Sequence, residues 1–177
     1  MKITVITGSP HKKGTSALLA DAFIGGAKEA GHDVFRFDAA FEKLAPCLAC
    51  DKCSGGQDCV QKDGMEKLNP ELLTSDLVAF VTPLYYYSLS AQLKAVIDRF
   101  YAQNDRLLGG GKKAVLIATA NDSAADTFDA LHAHYRQIIH YLQWSDAGTL
   151  FAYGCGTRKE IEATQYPAQA FAFGKQL

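Results

Sequence analysis

Apolar residues along this chain fall into short blocks that alternate between two spacings. Met1 to Thr7 carries the β-branched run Ile3-Thr4-Val5-Ile6 and reads as a strand, stopped by Gly8 and Pro10. After the break the spacing becomes helical, with Leu18, Leu19, Ala22 and Phe23 on one side. This predicts a helix to about Ala30, capped by Thr15 or Ser16 and ended by Gly31. Val34-Phe35-Arg36-Phe37 is a second strand. A long connection from Asp38 to Ser75 follows, with one helix near Met65 to Leu73. Leu77 to Val81 is apolar at every position, as in a parallel strand covered on both faces. Tyr85 to Ser90 reads as a loop, and Ala91 to Tyr101 as a helix presenting Leu93, Val96, Ile97 and Phe100. Gly109-Gly110-Gly111 turns the chain into a fourth strand, Ala114 to Ala118. Asp122 or Ser123 then caps a helix to about Gln143. Thr149 to Ala152 is a fifth strand, and a last helix between Lys159 and Lys175 is interrupted by Pro167.

Strands alternating with helices imply βαβ units and a parallel sheet. The 177 residues suit a single α/β domain, with a cysteine-rich insertion at about 44–64. Five such strands fit a flavodoxin-like three-layer sandwich of order 2-1-3-4-5. Ligands of such sheets sit beyond the carboxyl ends of the strands where the order reverses, here at the first and third strands. Three loops are selected by that rule: Gly8 to Ser16, Pro83 to Ser90, and Thr119 to Ser123.

The formal net charge of −1 gives no general attraction to nucleic acid or anionic membrane. The longest apolar run, Leu77 to Tyr87, is broken by Pro83 and too short to span a bilayer. A signal peptide is not expected, because a strand and turn occupy its place. A cytoplasmic location is expected. In that reducing compartment, five cysteines point to metal ligands, redox thiols or bystanders before disulfides.

The first loop, Gly8 to Ser16, sets glycines, hydroxyls and cations at a helix N-terminus, where free N–H groups and the dipole favour an anion. Ser9, Thr15 and Ser16 are hydroxyl donors; His11, Lys12 and Lys13 are candidate cations. Five residues separate Gly8 from Gly14 and no Lys precedes Thr15, so this is not a Walker loop. Nor is it the glycine fingerprint of a dinucleotide turn. A plain polar turn with ordinary caps is the alternative. In the second loop Tyr85, Tyr86 and Tyr87 suit the walls of a flat amphipathic ring, although at least one is expected to pack on the core or an interface. Together the loops describe a phosphate joined to a planar ring, a mononucleotide-like ligand.

Gly8-Ser9-Pro10 with Gly14-Thr15-Ser16 resembles the phosphate loop of the NAD(P)H-dependent FMN reductases. Thr82-Pro83-Leu84-Tyr85-Tyr86, then Ser90-Ala91-Gln92-Leu93-Lys94 and Ile97-Asp98-Arg99, looks like that family's flavin-ring loop and following helix. The resemblance implies a flavodoxin-like fold and bound FMN. It implies phosphate and ribityl contacts from Ser9, His11, Gly14, Thr15 and Ser16, and ring contacts from Pro83, Leu84, Tyr85, Tyr86 and Ser88. Thr119, Asn121 and Asp122 would close the far side. The family often carries Arg where His11 stands. A reduced nicotinamide would deliver hydride to the flavin, with the protein stabilising charge at N1, so no catalytic acid or base is nominated. No ribose-reading acid or phosphate-reading Arg can be placed, so the donor is written NAD(P)H.

Cys47-x-x-Cys50-x-x-Cys53-x5-Cys59 lets three thiolates converge and a fourth fold back, the donor number of a [4Fe–4S] cluster. The segment also resembles the compact cysteine motif of iron–sulfur flavoproteins. Clusterless thiols and zinc remain alternatives. Cys155 has no partner in sequence and reads as a lone buried or loop thiol. His132, His134 and His140 lack metal-site spacing. Three functions stand open. The first is an FMN-dependent oxidoreductase passing electrons from NAD(P)H to a flavin, quinone or similar acceptor. The second is an iron–sulfur flavoprotein carrier with FMN and a cluster. The third is a non-enzymatic FMN- or metal-binding sensor. A homodimer or homotetramer is expected.

Overall fold

Each predicted strand forms in the computed structural model, which describes residues 1–177. β1 (Lys2–Thr7), β2 (Asp33–Asp38), β3 (Leu77–Pro83), β4 (Lys113–Thr119) and β5 (Ser145–Ala152) pair in parallel as β2-β1-β3-β4-β5. This is the flavodoxin-like order. Every residue of β3 is buried, which accounts for its unbroken apolar sequence. β5 begins four residues before its apolar block because Ser145 and Asp146 are exposed on an edge strand, where no alternation is imposed.

Seven α-helices cover the sheet: α1 (Thr15–Glu29), α2 (Met65–Thr74), α3 (Ala91–Asp98), α4 (Asn104–Leu107), α5 (Asp129–Leu142), α6 (Arg158–Glu162) and α7 (Tyr166–Lys175). One core layer joins Leu68 and Leu72 of α2, Leu93 and Val96 of α3, and Leu131, Tyr135 and Ile139 of α5 to one sheet face. The other joins Leu19 and Phe23 of α1 and Ala170 of α7 to the opposite face. A Cβ on Gly26 would lie 1.9 Å from the Phe171 carbonyl oxygen, and one on Gly174 2.1 Å from that of Phe23. The two backbones of α1 and α7 therefore touch. No helix is long and apolar enough to cross a membrane.

Several boundaries differ from the sequence reading, each for a local reason. α1 is capped by Gly14 in an extended conformation, with no side-chain bond, rather than by Thr15 or Ser16. The helix after β3 tightens into a 3-10 turn, Arg99–Gln103. That turn places Phe100 and Gln103, three residues apart, on one buried side with Arg99 alongside. Asp122 does not start α5. Its carboxylate accepts from the Ser123 and Ala124 N–H groups at 2.7 and 3.2 Å and from the Thr127 hydroxyl at 2.9 Å, closing a separate turn. The last helix is two helices. Thr157 and Glu160 form a capping box at α6, and Pro167 lies in the first turn of α7 rather than inside a longer helix.

Candidate functional site

β1 delivers the first loop directly into the second. The Gly8 N–H donates to the Val81 carbonyl at 2.8 Å, and Ser90 Oγ donates to the Gly8 carbonyl at 2.7 Å. A Cβ on Gly8 would stand 2.3 Å from Ser90 Oγ and 2.7 Å from Leu93 Cβ, so only glycine allows the loops to meet. Ser9, buried, braces its own turn: its Oγ accepts from the His11 N–H at 3.1 Å and faces the His11 carbonyl at 3.3 Å. The Thr15 and Thr119 hydroxyls meet at 2.8 Å, tying the head of α1 to the end of β4. Thr15, Ser16 and Ala17 lead a fifteen-residue helix whose first N–H groups have no intrahelical acceptor, and no side chain caps them. An uncapped helix start in a tight, hydroxyl-lined turn is what a phosphate requires.

The second loop leaves β3 through Thr82, whose hydroxyl accepts from the Ser90 N–H at 3.1 Å. The Leu84 N–H donates to the Thr119 carbonyl at 2.8 Å. Tyr85 and Ser88 then pair across a two-residue turn in which Tyr86 and Tyr87 have φ of 47° and 62°. Left-handed backbone at bulky residues costs about 1–2 kcal/mol each, and such a turn ordinarily carries Asn-Gly. Tyr86 is wholly exposed, with Tyr85 and Tyr87 at 42% and 57%. None of the three packs into the core, which leaves an interface as the place for the expected packing of one of them. Rings held in water on strained backbone are positioned for something other than packing.

Between the loops lies a cleft of about 310 Å³, lined by Ser9, His11, Gly14, Thr15, Pro83, Leu84, Tyr85, Thr119 and Asn121 among the expected residues. Ser16, Tyr86, Ser88 and Asp122 lie outside its lining. Ser16 is buried beneath the turn, Ser88 faces His134 Nδ1 at 3.4 Å, and Asp122 is occupied by its own turn. Those bonds hold the Asp122 carboxyl below its ordinary range. Lys12 is drawn away, 4.9 Å over the Phe41 ring. Ala120, inside the predicted third loop, joins the lining, and the sequence reading missed Cys155, Gly156 and Arg158 on the wall after β5. Arg158 adds a guanidinium and donates to Glu162 at 2.7 Å. The Gly154-Cys155-Gly156 run after the fifth strand was the available signal, since that turn also opens at the carboxyl end of the sheet. Burial, then nearby Glu160, pushes the Cys155 thiol up, and it donates to the Tyr153 carbonyl at 3.1 Å.

Residues 1–157 match the model of the NADPH-dependent FMN reductase family. The chain belongs to this family. Among similar proteins is an iron–sulfur flavoprotein of Archaeoglobus fulgidus, 33% identical over 112 residues, covering 63% of this chain and 51% of that one. The chain thus spans about half the length of that relative. FMN-dependent NADH:quinone oxidoreductase 2 of Pseudomonas aeruginosa is 28% identical, covering 75% of each chain. The solved NAD(P)H:quinone oxidoreductase of Methanothermobacter marburgensis superposes with a TM-score of 0.76 at 18% identity, over 98% of this chain and 94% of that one, showing the shared fold.

In this FMN reductase-family chain the cysteine segment has neither helix nor strand between β2 and α2. Cys50 is exposed, and Cys47, Cys53 and Cys59 are half-buried. Ala49 and Asp51 take left-handed backbone on either side of Cys50, and the Ala49 N–H donates to Cys47 Sγ at 3.4 Å. Burial, ahead of the Cys59, Cys47 and Cys50 thiols, pushes the Cys53 thiol up. No three His, Cys, Asp or Glu side chains take up the arrangement of a metal site.

Arg99 holds the segment's ends. Its Nη1 donates to the Ala45 carbonyl at 2.8 Å and Asp63 Oδ2 at 2.6 Å, and its Nη2 to Asp63 Oδ1 at 3.2 Å and the Gln61 carbonyl at 3.4 Å. The Arg99 and Asp63 side chains are 1% and 7% exposed. Arg99 opposes burial of Asp63 through this pairing and holds its carboxyl below the usual range. Arg99 lies three and six residues beyond the apolar Val96 and Leu93. A cation on that face was the sequence signal for a buried pair.

Proposed function

We propose that this chain is an FMN-dependent oxidoreductase that takes electrons from NAD(P)H and passes them to a flavin, quinone or similar acceptor. The observation that carries this reading is the uncapped start of α1 opening into a cleft whose facing wall is the tyrosine loop. In it Ser9, Gly14 and Thr15, with the first N–H groups of α1, hold the phosphate, and Ser16 shapes the turn from beneath. His11 and Arg158 bring positive charge. Pro83, Leu84 and Tyr85 line the ring, and Thr119, Ala120 and Asn121 close its far side. When bound, FMN supplies the redox chemistry, accepting two electrons from NAD(P)H and releasing them to the acceptor. The protein orients the ring, narrows access through the tyrosine loop and contributes fixed dipoles. We read the chain as one flavodoxin-like domain with a cysteine-rich insertion, cytoplasmic and assembled as a homodimer or homotetramer.

Four cysteines in one short segment favour a second reading, in which Cys47, Cys50, Cys53 and Cys59 hold a [4Fe–4S] cluster beside the FMN. The donor number and the Ala49 N–H to Cys47 sulfur bond suit such a centre, and the Archaeoglobus relative is named for one. Steady-state oxidation of NAD(P)H with added flavin or quinone tests the first reading, and its absence overturns it. Iron and acid-labile sulfide in anaerobically purified protein test the second. Flavin bands without iron–sulfur absorption remove the cluster.

A further inference from the structure

We propose that Arg99 is the positioning residue of the cysteine segment, closing it into a loop so that its four thiolates can converge on one centre. The inference rests on the reading that the segment carries a thiolate-bound centre. It adds the residue that prepares the segment for it.

The hydrogen bonds fix the argument. Ala45 lies two residues before Cys47 and Gln61 two residues after Cys59, so the two carbonyls bound by Arg99 bracket the thiols in sequence. One planar guanidinium thereby joins both ends of an otherwise irregular segment. Asp63 fixes its plane through two bonds, a geometry that Lys cannot reproduce. The remaining donor, Arg99 Nε, is buried without a partner. A buried N–H is costly to leave unpaired.

The test is titration of reduced, iron-free, FMN-loaded protein with cadmium(II), read by thiolate-to-metal charge-transfer absorption. The wild-type chain is expected to bind one cadmium through several thiolates. Arg99→Gln should weaken that binding by about 10–100-fold, as loss of a residue supporting metal ligands does elsewhere. Arg99→Lys should recover part of it, because the charge returns without the fork. FMN affinity should not change in either variant, which separates positioning from general damage. If Arg99→Gln does not fold, the double variant Arg99→Met with Asp63→Leu removes the cation and its partner together and leaves no buried charge. It should show the same loss. Wild-type affinity in the double variant or in a folded Arg99→Gln overturns the proposal, as does a wild-type chain that binds cadmium through one thiolate. Iron and sulfide analysis of the native protein decides the cluster reading separately, so either idea can fail alone.

Discussion

The phosphate turn, Gly8 to Ser16, and the cysteine segment, Cys47 to Cys59, are secured by different means. The turn is tied to β3, β4 and α3 through Gly8, Thr15 and Ser90, over distances of 2.7–2.8 Å. Its geometry is set by the sheet whether or not a ligand arrives. The segment has no ladder and no helix, and its ends meet at a single buried ion pair. A phosphate site must be formed in advance, since backbone N–H groups must already point at the anion. A thiolate site gains much of its order from what it binds. One fold thus carries a turn fixed by the sheet and an irregular segment whose ends are held by Arg99 and Asp63.

The strongest way to break this contrast is Asp63→Ala. It strands a buried guanidinium and should cost about 3–5 kcal/mol in chemical denaturation. If the folded variant keeps the cleft, FMN affinity should hold, and equal loss of FMN binding would merge the two regions. The same pair gives a pH signature. The folded Asp63 carboxyl is held below its unfolded value, so its stabilisation is complete above the ordinary carboxylate range and fades as pH falls through the folded value. Denaturation across acidic pH should show that loss in the wild type and not in Asp63→Asn.

Gly8→Val comes next. It forces a side chain into Ser90 and Leu93 and should cost about 1–3 kcal/mol, together with FMN affinity, while cadmium binding by the cysteines persists. Ser9→Asp should weaken FMN binding at least about tenfold, or about 1.4 kcal/mol, by setting a carboxylate beside the phosphate. Unchanged affinity in a titration would place the phosphate elsewhere. The smallest effect is expected from Tyr86→Gly. Relief of left-handed strain should stabilise the chain by about 1 kcal/mol, and steady-state kinetics should record whether the exposed ring serves the acceptor.

The sheet was legible because β3 is buried throughout and β4 at every residue after Lys113, so their apolar blocks are unbroken. The turn itself was legible because Gly8 and Pro10 stop β1 and helical spacing resumes after Gly14. What escaped was set by tertiary contacts. Asp122 has the composition of a helix cap but satisfies its own turn. Tyr86 and Tyr87 occupy backbone that no tyrosine signals. Arg158 and Cys155 reach the cleft only because β5 ends beside β4, and Arg99 acts across a gap of thirty-six residues to Asp63.

The most direct measurement is the absorbance spectrum of anaerobically purified protein, followed by titration with FMN. Flavin bands saturating at equimolar FMN, and weakened saturation in Ser9→Asp, are predicted. A colourless protein that gains no flavin bands when FMN is added would contradict the central claim.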